Sequence, residues 1–136
     1  MAEFPEMVLE GPGTYALPGG GALLVEVTGI PAAWQGVSAR VAYFDADAAP
    51  FPWLVRTFKA GDRFMPLGLT GHKKVKDFFI DEKVPLAARR RVPLLFSVER
   101  LIWVGGFLIS AEARLTERTG LVMRAEILDF APQIDL

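Results

Sequence analysis

Positively charged side chains cluster in one stretch of this chain, between Lys59 and Arg91. That stretch holds nine lysines and arginines against four acidic residues, a net charge of +5, while the remainder holds six basic and twelve acidic residues, a net charge of −6. A basic region hidden in a nearly neutral protein indicates a polyanionic partner. The overall charge of −1 argues against indiscriminate coating of nucleic acid.

A short amphipathic helix is predicted in the middle of this stretch. Val75, Phe78 and Phe79 recur at i, i+3 and i+4, so they share one apolar face. Thr70 is a candidate N-cap, which places the neighbouring lysines near the first turn. Lysines oppose the helix dipole there, whereas an anion bound by backbone N–H groups and ammonium groups would explain them. The alternative is a solvated helix face that keeps a sheet domain soluble.

A second short helix is predicted over residues 86–90. Val84 and Pro85 end the first helix, because the residue before a proline is pushed out of the α region. Pro85 then suits the first position of the second helix, and Pro93 closes it.

Three consecutive arginines, residues 89–91, extend the basic stretch. They cannot all point the same way on one helical turn. We expect one or two to join the lysine surface and the others to pair with carboxylates such as Asp81 or Glu82.

The same residues resemble a known family when taken in order. They comprise Gly61-Asp62-Arg63, Pro66-Leu67-Gly68, Gly71, Lys73-Lys74, Lys76-Asp77-Phe78-Phe79, Asp81, Lys83-Val84-Pro85, Arg89, Pro93-Leu94-Leu95 and Ile102-Trp103-Val104-Gly105-Gly106. This ordered signature is similar to the C-terminal domain of bacterial tRNA(Ile)-lysidine synthetases. It covers about half of the chain densely.

The resemblance implies an accessory domain that helps to hold the acceptor stem of tRNA(Ile). It also implies a separate N-terminal catalytic domain, which uses ATP to attach lysine to the wobble cytidine. The family's nucleotide motif, Ser-Gly-Gly-x-Asp-Ser, is missing from this chain. We therefore expect no catalysis and no cofactor in this chain alone, with ATP and lysine bound by the catalytic domain of the same protein. A homodimer is left open.

The residues expected to contact the RNA are all basic: Arg63, His72, Lys73, Lys74, Lys76, Lys83, Arg89 and Arg90. Side chains read the deep major groove of A-form RNA poorly, so such contacts would position the stem by shape. The alternative function is a protein-interaction or inter-domain docking module. Its basic face would meet an acidic surface, and aromatics such as Trp34 or Phe51 would bury against the partner.

Catalytic and metal-binding residues are few. His72 is the one histidine, cysteine is absent, and no serine stands in a Gly-x-Ser-x-Gly setting. No metal-ligand spacing occurs, and Asp45 and Asp47 lack the rest of a calcium loop, so a turn is predicted there. Beside two lysines, His72 is interpreted as a contact to solvent or phosphate.

Outside the basic stretch the chain is predicted to be strand-rich. Strands are expected over residues 15–17, 22–28, 37–44, 53–59, 93–98, 101–104 and 121–128. A hairpin turn is predicted at 18–21 and a bulge or bend at 105–106, while 111–119 suits either a helix surface or an exposed edge. The predicted fold is α+β, a β-sandwich or partly closed barrel with one or two short inserted helices. The resemblance implies a sandwich also seen in bacterial phenylalanyl-tRNA synthetases.

The chain is expected to form a single domain over residues 1–136. Residues 1–13 are predicted to be an arm, because their prolines and glycines oppose regular structure. No apolar run reaches the length of a membrane helix, and the first residues lack the pattern of a signal peptide. A cytoplasmic location is the simplest expectation.

Overall fold

The computed structural model describes residues 5–33 and 38–128, and it is built mainly from antiparallel strands. In chain order the strands are β1 Met7–Leu9, β2 Gly13–Ala16, β3 Ala22–Thr28, β4 Val41–Asp45, β5 Trp53–Arg56, β6 Arg63–Phe64, β7 Lys73–Lys74, β8 Leu94–Ser97, β9 Arg100–Val104, β10 Leu108–Ile109 and β11 Val122–Leu128. The helices are α1 Val75–Asp81 and α2 Leu86–Arg89, and single 3₁₀ turns cover Ala46–Ala48 and Ala111–Ala113.

Two sheets pack face to face, which confirms the predicted sandwich. The five-stranded sheet has the order β1-β5-β8-β9-β10, and the four-stranded sheet has the order β2-β3-β11-β4. Their shared core joins Trp53 and Trp103 of the first sheet to Phe44 of the second. The Phe44 ring meets both tryptophans edge-on, with centroid distances of 5.6 and 6.2 Å.

A second hydrophobic cluster covers the other face of the five-stranded sheet. There Leu94 and Phe96 of β8 pack with Phe79 of α1 and with Phe64 of a two-stranded ribbon formed by β6 and β7. Strands β8 and β9 are therefore buried on both faces, which explains why they read as continuous apolar runs. The helices and the ribbon form an outer layer on this side of the molecule.

Strand β9 contains a bulge that the sequence did not predict. Leu95 pairs with Trp103 and Phe96 pairs with Leu101, which leaves Ile102 as the extra residue. Ile102 and Trp103 consequently both belong to the core between the sheets. The bulge or bend predicted at 105–106 is confirmed as a bend, because these glycines form the turn between β9 and β10, where Gly106 has a φ of 82°.

The predicted arm is wrong for residues 7–9, because β1 is an edge strand of the five-stranded sheet. Met7 pairs with Val55 and Leu9 with Trp53. Leu9 is fully buried, so its core contacts stabilise a strand whose neighbours are poor strand formers. β2 begins at Gly13, also inside the predicted arm. Residues 1–4 lie outside the described residues.

Several other local predictions can be compared with the structure. The hairpin turn at 18–21 is confirmed between β2 and β3. Residues 111–119 form neither an exposed edge strand nor an α-helix, since a 3₁₀ turn there buries Ala113. Phe51 is half-buried and stacks on Trp53 at 4.5 Å, so it is not an exposed docking aromatic. Trp34 and the predicted start of β4 at residue 37 lie outside the described residues.

The predicted turn after β4 is confirmed, and Asp45 stabilises it. Its Oδ1 accepts the backbone N–H of Asp47 at 2.9 Å, and its Oδ2 accepts the Thr119 hydroxyl at 2.9 Å. One carboxylate oxygen thus caps the 3₁₀ turn, and the other links the end of β4 to Thr119.

The last strand, β11, lies between β3 and β4 and pairs with both along most of its length. On its outer face Arg124 lies between Glu26 and Glu126. Burial lowers the pKa of Arg124, but hydrogen bonds with Tyr43 and Glu126 and the negative charge of Glu126 outweigh it and raise the pKa above its ordinary value. None of the helices in the described part of the chain is long and apolar enough to cross a membrane.

Candidate nucleic-acid interface

A pair of exposed cations stands on the ribbon of β6 and β7. Arg63 lies directly opposite Lys74 in the antiparallel register, so the two side chains share one face. Both residues are exposed, and neither forms an ion pair within the described residues. Like charges in this position are destabilising. An external anion would relieve the repulsion, which makes this pair the best candidate for a phosphate site.

The same register turns Phe64 and Lys73 to the opposite face of the ribbon. Phe64 is buried in the second hydrophobic cluster. Lys73 is only partly exposed, and its Nζ forms an ion pair with the Asp81 carboxylate of α1. Lys73 therefore links the ribbon to the helix, and of the two lysines Lys74 is the better placed to meet a ligand.

The predicted start of α1 is wrong. The helix begins at Val75 after Lys74, which caps it without a side-chain hydrogen bond, and Thr70 lies in the preceding loop. The Val75 N–H is already bonded to the Asp62 carbonyl at 2.9 Å. Lys73 and Lys74 form strand β7, which pairs with β6. Of the three lysines, only Lys76 therefore lies in the first turn of the helix. The anion site is thus better assigned to the ribbon than to the helix start.

Asp62 holds the ribbon in place. Its carboxylate accepts two bonds from the Arg56 guanidinium, at 2.8 and 2.9 Å, and the Lys59 N–H at 2.7 Å. The two side chains are only 10% and 14% exposed, and the guanidinium lies 4.2 Å from the centroid of the Phe96 ring. A bidentate pair resting on the sheet therefore fixes the residue that precedes Arg63.

Replacing Asp62 by alanine is expected to lower the free energy of unfolding by about 2 to 3 kcal/mol, because three hydrogen bonds to a largely buried carboxylate are lost. Urea unfolding would measure the change. Glu6→Ala is a matched control, since the Glu6 pair with Lys59 is more than half exposed on both sides. That pair should contribute less than about 1 kcal/mol. Equal losses in the two variants would contradict the role of Asp62 as an anchor.

Lys83 occupies the position just beyond the end of α1, in a left-handed backbone conformation with φ of 58°. Its N–H donates to the Ile80 carbonyl at 3.0 Å, and the N–H of Val84 donates to the Phe79 carbonyl at 2.9 Å. These two bonds define a Schellman motif, in which glycine is the favoured residue at this position. A residue with a side chain costs about 1 to 2 kcal/mol there. Lys83 is exposed.

Arg89 is partly buried and contributes to structure. Its Nε donates to the Val84 carbonyl at 2.9 Å, and its guanidinium lies 6.0 Å from the centroid of the Phe79 ring. The expected pairing of one of the arginines 89–91 with Asp81 or Glu82 is not found among the described residues, where Asp81 binds Lys73. The second helix is confirmed, one residue shorter than predicted, and Arg90 beyond it is exposed.

The loop between the strands of the ribbon presents the remaining predicted contact, His72. Residues 68–72 are exposed, and Gly68 and Gly71 have φ of 90° and 79°, which glycine adopts without strain. The base of the loop is fixed to the sheet, because the Leu67 N–H donates to the Ile109 carbonyl at 3.1 Å. His72 is therefore placed next to β7 in an open loop.

The structure thus brings most of the predicted contacts to the outer layer, on which we define a basic surface by its exposed members: Arg63, His72, Lys74, Lys76, Lys83 and Arg90. Lys73 and Arg89 instead make intramolecular contacts. The sequence did not predict the opposition of Arg63 and Lys74. The one signal available was the turn-rich segment between them, which is compatible with a hairpin.

A cavity of about 610 Å³ opens between the edge strands β4 and β10. Its lining includes Tyr43, Trp103, Phe107 and Arg114, and none of the eight predicted contact residues. The cavity thus adjoins the loop that carries His72, through Leu67 and Gly68, but contains no residue of the basic surface.

The chain matches the family model described as the TilS substrate C-terminal domain over residues 54–125. It is 49% identical over 119 residues to the tRNA(Ile)-lysidine synthase of Geobacter sulfurreducens, a match covering 85% of this chain and 25% of the relative. The corresponding enzyme of Caldanaerobacter subterraneus is 34% identical over 122 residues, covering 88% and 26%. The chain thus spans about a quarter of the length of these relatives.

Two solved structures share the fold. A crystal structure of a TilS C-terminal domain superposes with a TM-score of 0.77 at 26% identity, covering 91% of this chain and 97% of the other. An N-terminal fragment of the phenylalanyl-tRNA synthetase beta-subunit from Pyrococcus horikoshii gives a TM-score of 0.52 at 18% identity, covering 64% and 27%. The second likeness concerns the fold alone.

Proposed function

Because this chain belongs to the TilS substrate C-terminal domain family, we propose that it is the accessory tRNA-binding domain of a tRNA(Ile)-lysidine synthetase. In this proposal it holds the acceptor stem of tRNA(Ile) in the cytoplasm. A separate N-terminal domain binds ATP and lysine and modifies the wobble cytidine. This chain supplies neither catalytic residues nor a cofactor.

The observation that carries the proposal is the exposed cation pair of Arg63 and Lys74. Repulsion between the two cations makes this pair unfavourable in the free domain. A phosphate group of an RNA backbone would attract both side chains and offset the repulsion. Lys76 and Lys83 add charge along the neighbouring helix. A surface of this kind binds phosphates and leaves most base identity to other parts of the enzyme.

The distribution of charge over the two sheets also favours RNA binding on the side of the helices and the ribbon. The basic surface lies outside the five-stranded sheet, whereas the outer face of the four-stranded sheet carries Glu26 and Glu126, which neutralise Arg124. A polyanion is therefore attracted to the layer of helices and ribbon and not to the opposite face.

Binding to an acceptor-stem hairpin at several salt concentrations tests the proposal. Each neutralised phosphate adds about 0.7 to 0.9 to the slope of log affinity against log salt, so four contacts give a slope near −3. A DNA hairpin of the same sequence is the control, since it lacks the A-form shape and the 2′-hydroxyls. We expect tighter, salt-sensitive binding to the RNA.

The alternative is a docking module for another protein or domain. Absence of RNA binding by the folded domain at low salt would contradict the proposed function. Salt-sensitive association with the separately produced catalytic domain would then favour the docking function.

A further inference from the structure

We propose that the cavity between β4 and β10 receives an unpaired nucleotide of the RNA whose stem lies on the basic surface. The inference rests on the proposed function, because it concerns a further part of the same RNA. It assigns a base-binding site to residues outside the basic surface, which itself binds phosphates.

The walls of the cavity suit a flat aromatic ligand. Its volume of about 610 Å³ falls within the range of about 300 to 1,000 Å³ that is usual for small-molecule sites. Leu67 and Leu108 line it with apolar side chains, and Phe107 adds an aromatic ring. All three are only partly buried, so they leave apolar surface open to a ligand. Unstacked bases bind to surfaces of this kind, because every base presents a π-face.

The free edge of β4 supplies hydrogen-bonding groups on one wall. The Ile127 N–H donates to the Arg40 carbonyl at 2.9 Å, and the Ala46 N–H donates to the Leu121 carbonyl at 3.0 Å. Bonded and non-bonded pairs alternate along an antiparallel ladder, so Tyr43 directs its backbone N–H and carbonyl away from β11. Neither group forms a backbone hydrogen bond within the described residues. A donor beside an acceptor is what the edge of a nucleobase requires.

Arg114 places a positive charge at the cavity. Its Nη1 donates to the Ala111 carbonyl at 2.7 Å, so the guanidinium is held near the second 3₁₀ turn. Arg114 is exposed and forms no ion pair with a carboxylate in the described part of the chain. Guanidinium groups stack on bases and bind phosphates. Arg114 therefore suits both parts of a nucleotide.

The cavity adjoins the basic surface, which is why we assign its ligand to the same RNA. Leu67 and Gly68 line the cavity and begin the loop that carries His72. Four residues span at most about 14 Å, so Gly68 lies within that distance of His72. Phe107 also joins the cavity to α1, since its ring meets that of Phe79 at a centroid distance of 6.3 Å. A strand that leaves a stem on the basic surface thus reaches the cavity within a few nucleotides.

Three RNA hairpins test the inference with the wild-type domain. One is the blunt acceptor-stem hairpin, the second adds a single-stranded 3′ end, and the third adds the same 3′ end with abasic residues. The second and third RNAs carry equal numbers of phosphates, so a difference in affinity between them reports the bases alone. We expect the RNA with bases to bind at least about 5-fold more tightly, the lower end of what one stacked base contributes. Their log-log salt slopes should be equal.

Replacing Ala39 by tryptophan tests whether the bases bind in the cavity. Ala39 is exposed in the turn before β4 and lines the cavity, so a large ring there occupies the space for a base. We expect Ala39→Trp to abolish the preference for bases and to bind the blunt hairpin as the wild type does. Ala16→Trp is the matched control, since Ala16 is exposed on β2 at the other edge of the same sheet. This control should retain the preference.

A second pair of variants tests the cation at the cavity. Arg114→Ala should reduce the preference for bases about 2- to 5-fold, because the guanidinium no longer stacks on the base. Arg118→Ala removes an equal charge from an exposed residue that does not line the cavity, and it should leave the preference unchanged. Equal effects of the two substitutions would contradict the role of Arg114.

The outcomes separate the inference from the proposed function. Equal binding of the RNAs with and without bases overturns the inference, while binding of the blunt hairpin upholds the proposed function. A preference for bases that persists in folded Ala39→Trp also overturns the inference, since the bases then bind elsewhere. If RNA shows no preference and Ala39→Trp weakens association with the separately produced catalytic domain, the cavity binds a protein segment and the inference fails. If the wild type binds none of the hairpins at low salt, both fail.

Discussion

Replacing Phe79 by alanine is expected to lower the free energy of unfolding by about 3 to 5 kcal/mol. Phe79 is fully buried in the outer hydrophobic cluster. Its ring meets those of Phe58 and Phe107 at centroid distances of 5.8 and 6.3 Å, and Arg89 covers it from above. Alanine would leave a cavity among these partners, of which Phe58 follows β5, Phe107 lies in the turn between β9 and β10, and Arg89 belongs to α2. Typical domains are stable by about 5 to 15 kcal/mol, so the change is large.

Urea unfolding measured by circular dichroism would test this value. Ile80→Ala is the matched control, since Ile80 is the next residue of α1 and is 50% exposed. It should lower the unfolding free energy by less than about 1 kcal/mol. Similar losses at the two positions would show that the buried face of the helix has been misassigned.

Replacing both Arg63 and Lys74 by alanine is expected to weaken binding of the acceptor-stem hairpin about 25- to 60-fold at 0.1 M salt. Two phosphate contacts would be lost, so the log-log salt slope should become shallower by about 1.4 to 1.8. The free energy of unfolding should stay the same or rise by a few tenths of a kcal/mol, because two like charges no longer face each other.

Arg100→Ala combined with Arg118→Ala is the control for net charge. Both residues are exposed, and Arg100 pairs with Ser97 at the end of the sheet opposite to Arg56 and the ribbon. This double variant has the same total charge as the ribbon variant, and we expect less than about a 3-fold loss of affinity. Equal losses would mean that the RNA responds to overall charge and not to the ribbon.

The elements with a strong local signal could be predicted from the sequence. The spacing of Val75, Phe78 and Phe79 placed α1, because a helix satisfies its backbone bonds within one segment and needs only one apolar face. The central strands were also found, since runs such as 94–97 and 101–104 are apolar and end at turns. The same local reasoning located the second helix after Pro85.

The ribbon could not be predicted, and it decides the roles of the charged residues. Strands of two residues carry no periodicity, and the pairing of Arg63 with Lys74 spans a loop of eight residues. Sequence reasoning therefore extended the helix backwards over Lys73 and treated it as a ligand contact. The ion pair between Lys73 and Asp81 depends on how close β7 lies to the end of α1, which no local sequence pattern reveals.

The edge strand β1 was missed for a related reason. Prolines and glycines around residues 7–9 signal irregular structure, but one buried side chain, Leu9, outweighs them by filling a site in the core. Tertiary packing thus decided a segment that propensity alone assigned to an arm.

The position of β11 affects how this protein can fold during its synthesis. Strands β3 and β4 are not neighbours, and each reaches its long hydrogen-bonded partner only when residues 122–128 are present. While the ribosome is translating the middle of the chain, the four-stranded sheet cannot close, and the inner face of the five-stranded sheet stays uncovered. The domain therefore acquires its sandwich core only after β11 has left the exit tunnel, so β3 and β4 cannot complete their pairing as they are translated.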